Sequence, residues 1–165
     1  MADKQDIRTV LKRLEDQSPT GFAIAFHIKF TTPEFLFQTY PKAWIDLYSE
    51  RGYVMSDPIV RWGFSETGII SWADLGEWDD AGVLAESARF GMNHGVAISI
   101  EDGGTRSVAG FARNDRAFTD EEAAQLQADV ERLHHMTSSA DGMSPTVREA
   151  LHDLSVQMTH PGPSE

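Results

Sequence analysis

The sequence predicts an α+β domain in which an antiparallel β-sheet carries helices on both faces. Two observations lead there. Hydrophobic periodicity switches along the chain in the order helix, strands, helices, strands, helix. The last two strand-like stretches are joined by Asp102-Gly103-Gly104, a hairpin turn that makes their strands antiparallel neighbours. A chain of 165 residues, 41% hydrophobic and 10% aromatic, fits one globular domain with a single substantial core.

Taken in order, residues 3–17 read as a helix with Ile7, Val10, Leu11 and Leu14 on one stripe, stopped by Ser18-Pro19-Thr20-Gly21. The stretch 21–30, GFAIAFHIKF, alternates large apolar with small or polar residues and predicts a strand with Phe22, Ile24, Phe26 and Ile28 inward. A second short strand is expected over 35–39. A helix follows, starting at Pro41 and ending at Gly52. Residues 57–65 predict a short helix with Asp57 as its cap and Pro58 as its first residue. Residues 79–92 are expected to be helical, with Ala81, Leu84, Ala85 and Ala88 at core spacing. Residues 95–101 and 105–113 form the hairpin. Thr119 and Glu122 then make a capping box for a helix to about His135, with Leu126, Val130 and Leu133 facing inward. Residues 138–142 read as a linker and 160–165 as a loose end.

Composition mainly excludes. The absence of Cys rules out disulfides, thiolate nucleophiles and cysteine metal sites. A formal net charge of −12, with Lys and Arg scattered, works against unaided nucleic-acid binding. No apolar run approaches the length of a membrane span and the amino terminus is charged, so a soluble, cytoplasmic protein is expected. Catalysis finds no support: His134 and His135 point in different directions around a helix, and His27, His94, His152 and His160 are scattered.

The most informative stretch is 40–72. Tyr40, Trp44 and Tyr48 are spaced by four and fall on one helical face, each with a flat apolar body and one polar tip. Such spacing serves a plain core helix or a pocket that grips a mostly apolar ligand at a few polar points. Asp57 has two readings as well, a helix cap and a carboxylate acceptor for a ligand.

The full string, Tyr40-Pro41-x-x-Trp44-x-x-x-Tyr48, then Asp57-Pro58, then Trp72, closely resembles the ligand-binding domain of LuxR-type quorum-sensing regulators, which bind N-acyl-homoserine lactones. The resemblance runs from roughly residue 5 to residue 138. It implies an α-β-α sandwich with a ligand cavity between the sheet and the helices on one side. It implies an autoinducer-binding domain over 1–138, followed over 139–165 by a linker and tail. Within that tail, 143–151 faintly resembles the opening helix of a helix-turn-helix domain.

Carried over residue by residue, the resemblance makes Trp44 the indole donor to the lactone carbonyl, Tyr40 the hydroxyl donor to the amide carbonyl, and Asp57 the acceptor of the amide N–H. Tyr48 and Trp72 become aromatic walls. Candidates for the acyl tail are Ile24, Phe26, Ile59, Val60, Ile98 and Phe111, and either Ser99 or Ser107 reaches an oxygen on the third carbon if it faces inward. Gly95 is read as a backbone requirement. No cofactor and no metal is implied; the ligand is the lactone itself. The expected partners are a second copy or a full-length regulator, without direct DNA binding by this chain and without a membrane. The implied function is a quorum-sensing receptor domain that regulates transcription indirectly. Its alternatives are a ligand-independent, anti-activator interaction module of the same fold and the ligand-binding half of a truncated transcription factor.

Overall fold

A computed structural model describes residues 4–30 and 32–138, together with Glu149 and Asp153. The expected linker and tail, 139–165, lie otherwise outside the described residues. Five strands, β1 (Gly21–Ile28), β2 (Phe35–Gln38), β3 (Gly68–Ser71), β4 (His94–Asp102) and β5 (Thr105–Arg113), form one antiparallel sheet in the order β2-β1-β5-β4-β3. The helices are α1 (Lys4–Gln17), α2 (Lys42–Glu50), α3 (Pro58–Ser65), α4 (Val83–Ala88) and α5 (Asp120–Met136). α1 and α5 cover one face of the sheet, while α2, α3 and α4 lie on the other. The α+β sandwich read from the sequence is the fold observed.

The two faces of the sheet differ in side-chain size. Towards α1 and α5 the cross-strand rows are Phe22-Phe111-Val96 and Ile24-Ala109-Ile98, and they build the main core with Ile7, Val10, Leu14, Leu126, Val130 and Leu133. Phe22 and Phe111 stack with ring centroids 5.8 Å apart. On the other face the rows are Gly21-Ala112-Gly95, Ala23-Gly110-Ala97 and Ala25-Val108-Ser99. All but Val108 are Gly, Ala or Ser. A face this shallow cannot meet a helix layer along its whole length, and a space is left between them.

α1 is tied to α5 by a bidentate pair: Arg13 donates from Nε to Asp129 Oδ2 (3.0 Å) and from Nη2 to Asp129 Oδ1 (2.6 Å). The capping box of α5 is present, with the Glu122 amide donating to Thr119 Oγ1 (3.1 Å) and the Thr119 amide to Glu122 Oε1 (2.8 Å). Leu126, Val130 and Leu133 are fully buried.

Three expectations are corrected. In β1 the alternation breaks: the register against β5 shifts between Ala25 and Ile28, and His27 takes a left-handed φ of 53°. The extra residue puts His27 on the same face as Phe26, where its ring lies 4.4 Å from that of His134, and turns Ile28 to the opposite face. The helix expected over 79–92 is only six residues long. Gly82 adopts φ 72°, and the Asp79 carboxylate accepts from the amides of Val83 (2.7 Å) and Leu84 (3.0 Å), so the helix begins after it. Its buried residues are Val83 and Ser87 rather than the predicted alanine stripe. Pro41 is the N-cap of α2, with φ −52° and ψ 135°, so Tyr40 precedes the helix instead of sharing its face.

The contributions of this main core and of the α5 cap are testable by urea denaturation. Ile24→Ala, which empties a fully buried site in the main core, should cost about 2–5 kcal/mol. Thr119→Ala should cost about 1 kcal/mol, the usual size of a lost cap.

Candidate ligand-binding site

The space over the small-residue face is a cavity of about 940 Å³. Ala23, Ala25, Val108 and Gly110 form its floor, and α2, α3 and α4 contribute Trp44, Tyr48, Ile59, Val60, Val83 and Leu84 to its walls. Ile28, Pro33 and Leu36 line it at the β1–β2 end, and Val54 and Phe64, which are exposed, also line it. The lining is mostly apolar with a few polar groups, the composition of a small-molecule site.

α2 is short and ends at Glu50, and Gly52, with φ 60°, turns the chain back into a 3-10 turn at Tyr53–Met55. That turn and the segment after α4 clamp Trp44. Its ring stacks on Tyr53 at 5.7 Å and packs against Phe90 at 5.6 Å and Tyr48 at 5.8 Å, leaving it 3% exposed. α3 begins at Asp57 as expected. Asp57 Oδ1 accepts from the Ile59 amide at 2.8 Å, and Oδ2 accepts from the Tyr48 hydroxyl at 2.7 Å. At its far end α3 is held by Arg106 of β5, which donates to the carbonyls of Gly63 (2.6 Å) and Glu66 (2.8 Å).

Burial pushes the Asp57 carboxyl above the ordinary carboxylate range, opposed by the bonds from Tyr48, Ile59 and Val60. Burial, and then the charge of Asp57, raises both Tyr40 and Tyr48, so both phenols keep their protons and act as donors. Tyr48 spends its proton on Asp57. Tyr40 has nothing to spend it on, and among the described residues its hydroxyl and the Trp72 indole Nε1 are buried without a hydrogen-bond partner.

Two glycines make room for these donors. A Cβ on Gly95 would fall inside the Trp72 indole, against Cδ2, Cε2 and Cε3. A Cβ on Gly110 would fall 2.7 Å from the Tyr40 hydroxyl oxygen and 3.6 Å from Trp72 Cζ2. Gly95 is therefore a matter of close approach by an aromatic ring rather than of an unusual φ.

Of the residues singled out in the sequence, Tyr40, Trp44, Tyr48, Asp57, Ile59, Val60 and Trp72 all line this cavity. Ile24, Phe26, Ile98 and Phe111 do not: they belong to the α1/α5 core, across the sheet. Ser99 faces the helix side but donates to the Gly63 carbonyl at 2.7 Å. Ser107 faces the opposite core and lies 2.7 Å from His134 Nδ1. That Ser–His contact is fully buried away from the cavity, where no substrate reaches it. Sequence reading missed Ala23, Ala25 and Gly110, although the signal was present as the small members of the alternation around Phe22, Ile24 and Phe111. Among the described residues no group of three or more His, Asp or Glu side chains is placed to hold a metal.

A family model for the autoinducer binding domain matches residues 22–140. The chain belongs to this family. It is an autoinducer-binding domain, and the curated relatives it matches are transcriptional activators rather than enzymes. It is 35% identical over 118 residues to the transcriptional activator protein SolR of Ralstonia nicotianae, covering 70% of this chain and 49% of SolR. The chain thus spans about half the length of the curated relatives it matches. Among solved structures it is similar to the N-acylhomoserine lactone dependent LuxR family factor CepR2 from Burkholderia cenocepacia, with TM-score 0.54 and 20% identity over 79% of this chain and 93% of that one. It is also similar to Escherichia coli SdiA, with TM-score 0.58 and 21% identity over 96% of this chain and 67% of that one. At these identities the structural likeness speaks to fold. No helix among the described residues is long and apolar enough to cross a membrane.

Asp57→Asn keeps the capping oxygen and removes a buried charge, so without added ligand at neutral pH it should melt above the parent protein. Because the folded-state pKa of Asp57 is raised, its contribution is most favourable below the ordinary carboxylate pKa and is lost as pH rises through the folded value. The gap in melting temperature should therefore narrow as pH falls towards about 4. Gly95→Ala should displace Trp72 and cost about 1–3 kcal/mol, read by the same melts and by tryptophan fluorescence.

Proposed function

We propose that the cavity binds an N-acyl-homoserine lactone and that the domain is the receptor half of a quorum-sensing response. The observation that carries this is an incomplete hydrogen-bond set around an apolar cavity: Tyr40, whose hydroxyl is a buried donor with no acceptor among the described residues, and Asp57, an acceptor, line the same cavity. An amide presents a carbonyl and an N–H, and satisfies a donor and an acceptor at once. Tyr40 donates to the amide carbonyl, Asp57 accepts the amide N–H, and Trp44 donates its indole N–H to the lactone carbonyl. Tyr48 orients Asp57 and walls the site. The acyl tail runs over Ala23 and Ala25 beneath Ile59 and Val60, each buried methylene contributing roughly 0.8 kcal/mol. An SdiA structure in complex with octanoyl-rac-glycerol, similar at TM-score 0.54 and 16% identity over 93% of this chain and 82% of that one, supports a fatty acyl group as the occupant.

On this reading the domain acts in the cytoplasm and regulates transcription through its partner, by pairing with a second copy or with a full-length LuxR-type regulator. A ligand-independent interaction module is disfavoured, because a buried carboxylate and an unpartnered phenol would be retained at a cost with nothing to meet them.

Protein expressed in cells fed a mixture of acyl-homoserine lactones should retain one lactone in an organic extract read by mass spectrometry; folded protein that retains none would overturn the proposal. Asp57→Asn should weaken that lactone by about 1–3 kcal/mol in calorimetry, the range for a hydrogen bond to a charged group. Ala25→Leu, which raises the floor, should move the preferred acyl chain to a shorter length.

A further inference from the structure

The polar groups of the cavity lie with Tyr40, Trp44 and Asp57, and the part of the cavity beside the β1–β2 end has a different character. Along the sheet the groove stops at Ile28, which the bulge in β1 turns onto the cavity face. Towards solvent it is open. Val54 and Phe64 both line the cavity and are 52% and 40% exposed, so each has one side on the cavity and another in water. Side chains in that position stand on a rim.

The exposed lining residues change in kind along the chain. Those of α2 are polar, and Lys42 among them is engaged with Asp46 at 2.7 Å. Past Gly52 they turn apolar with Val54 and then Phe64. Met55, 85% exposed, follows Val54 in the chain, and Phe30, 99% exposed, stands between the lining residues Ile28 and Pro33. These four are the large hydrophobic side chains that remain exposed among the described residues. Single apolar residues scattered over a surface need no explanation, but each of these lines the cavity or lies within two residues of one that does. Because Val54 and Phe64 are continuous with the lining, the occupant that reaches them without leaving the site is the far end of the ligand itself.

We propose that this domain selects long-chain homoserine lactones, dodecanoyl over hexanoyl, and that the distal methylenes leave the enclosed cavity and lie on Val54 and Phe64 at its rim. The inference rests on the lactone reading. A tail that runs over Ala23 and Ala25 meets Ile28, which deflects it away from the sheet towards these two side chains. Enclosed methylenes are covered on all sides, whereas those on the rim are covered on one side and gain less per carbon, but the gain does not stop. A closed pocket behaves otherwise, since a chain longer than its length must overpack it. The tail also covers apolar surface of Val54 and Phe64 that is otherwise left in water, so ligand and protein both gain. Val54 and Phe64 are thus the residues that set the preference for length.

The test is calorimetry of the full chain with straight, unsubstituted N-acyl-homoserine lactones from butanoyl to dodecanoyl. Affinity should rise through the whole series, about fourfold per methylene while the tail is enclosed and about twofold per methylene over the rim. A maximum at hexanoyl or octanoyl followed by a decline overturns the proposal. Val54→Ser and Phe64→Ser should each lower affinity for the dodecanoyl member roughly three- to tenfold more than for the hexanoyl member. Equal loss at both lengths overturns it. So does loss of self-association or of binding to phosphatidylcholine vesicles in these variants with the length dependence intact, which would give the rim to a second copy or to a bilayer. The parent protein supplies an independent reading with lactones whose terminal methyl is replaced by trifluoromethyl. A soluble gadolinium chelate should broaden the fluorine signal of the bound dodecanoyl ligand and spare that of the bound hexanoyl one; a protected terminus in both is the contrary result. The two readings fail differently. A protein that binds no member of the series ends both, whereas one whose affinity peaks at a short chain ends this inference alone.

Discussion

The unequal thickness of the two sheet faces is the constraint on which the rest of this structure depends. Aromatic and branched side chains on one face meet α1 and α5 and supply the cohesion of the domain. Glycine and alanine on the other leave the second helix layer standing off the sheet. A sheet with large residues on both faces would close that gap and gain apolar contact, but it would hold no guest. Stability and reception are thus divided between the faces, and β5 throughout and β1 up to its bulge serve both by alternation.

Within the cavity, the polar groups divide into those that have settled their hydrogen bonds and those that have not. Asp57 shows how one residue can belong to both groups. Its bonds cap α3 and hold Tyr48, and a carboxylate with about four lone-pair sites keeps acceptor capacity as a lining residue of the cavity. The cap reading and the ligand reading of this aspartate are therefore compatible. Its position depends on both ends of α3: Asp57 starts the helix, and Arg106 reaches across from β5 to bind the final carbonyls. Helix, carboxylate and sheet move as one piece.

Most of the fold was legible in the sequence because its elements are punctuated by local chemistry. Asp57-Pro58, Asp102-Gly103-Gly104 and the Thr119–Glu122 box each act over a few residues and appear where they were read. What was not legible depends on distant partners. The short α4 follows from a carboxylate folding back onto amides four and five residues ahead. β3 is four residues long and pairs only with β4. The expected tail contacts differ for another reason: Ile24, Phe26, Ile98 and Phe111 do lie on an inward side of their strands, but a two-sided sheet has two inward sides. Alternation reveals that sides exist and says nothing of which one faces the ligand. The aromatic string survived its helix being shorter than expected, since Tyr40, just before the N-cap, still faces the same cavity.

The bulge at His27 gives this architecture a separate kind of adjustability. By inserting one residue it reverses the facing of β1 near its end, so that Ala23 and Ala25 keep the groove deep along most of the strand and Ile28 then rises into it as a stop. The groove works as a gauge with a fixed end. Three residues of β1 span the distance from Val108 to Arg106 that two residues of β5 cover, so Ile28 comes to share a face with Ala25. A strand that held strict alternation through the same residues would turn Ile28 to the opposite face and leave that end of the groove without its side chain. Facing rather than side-chain identity sets where the groove ends.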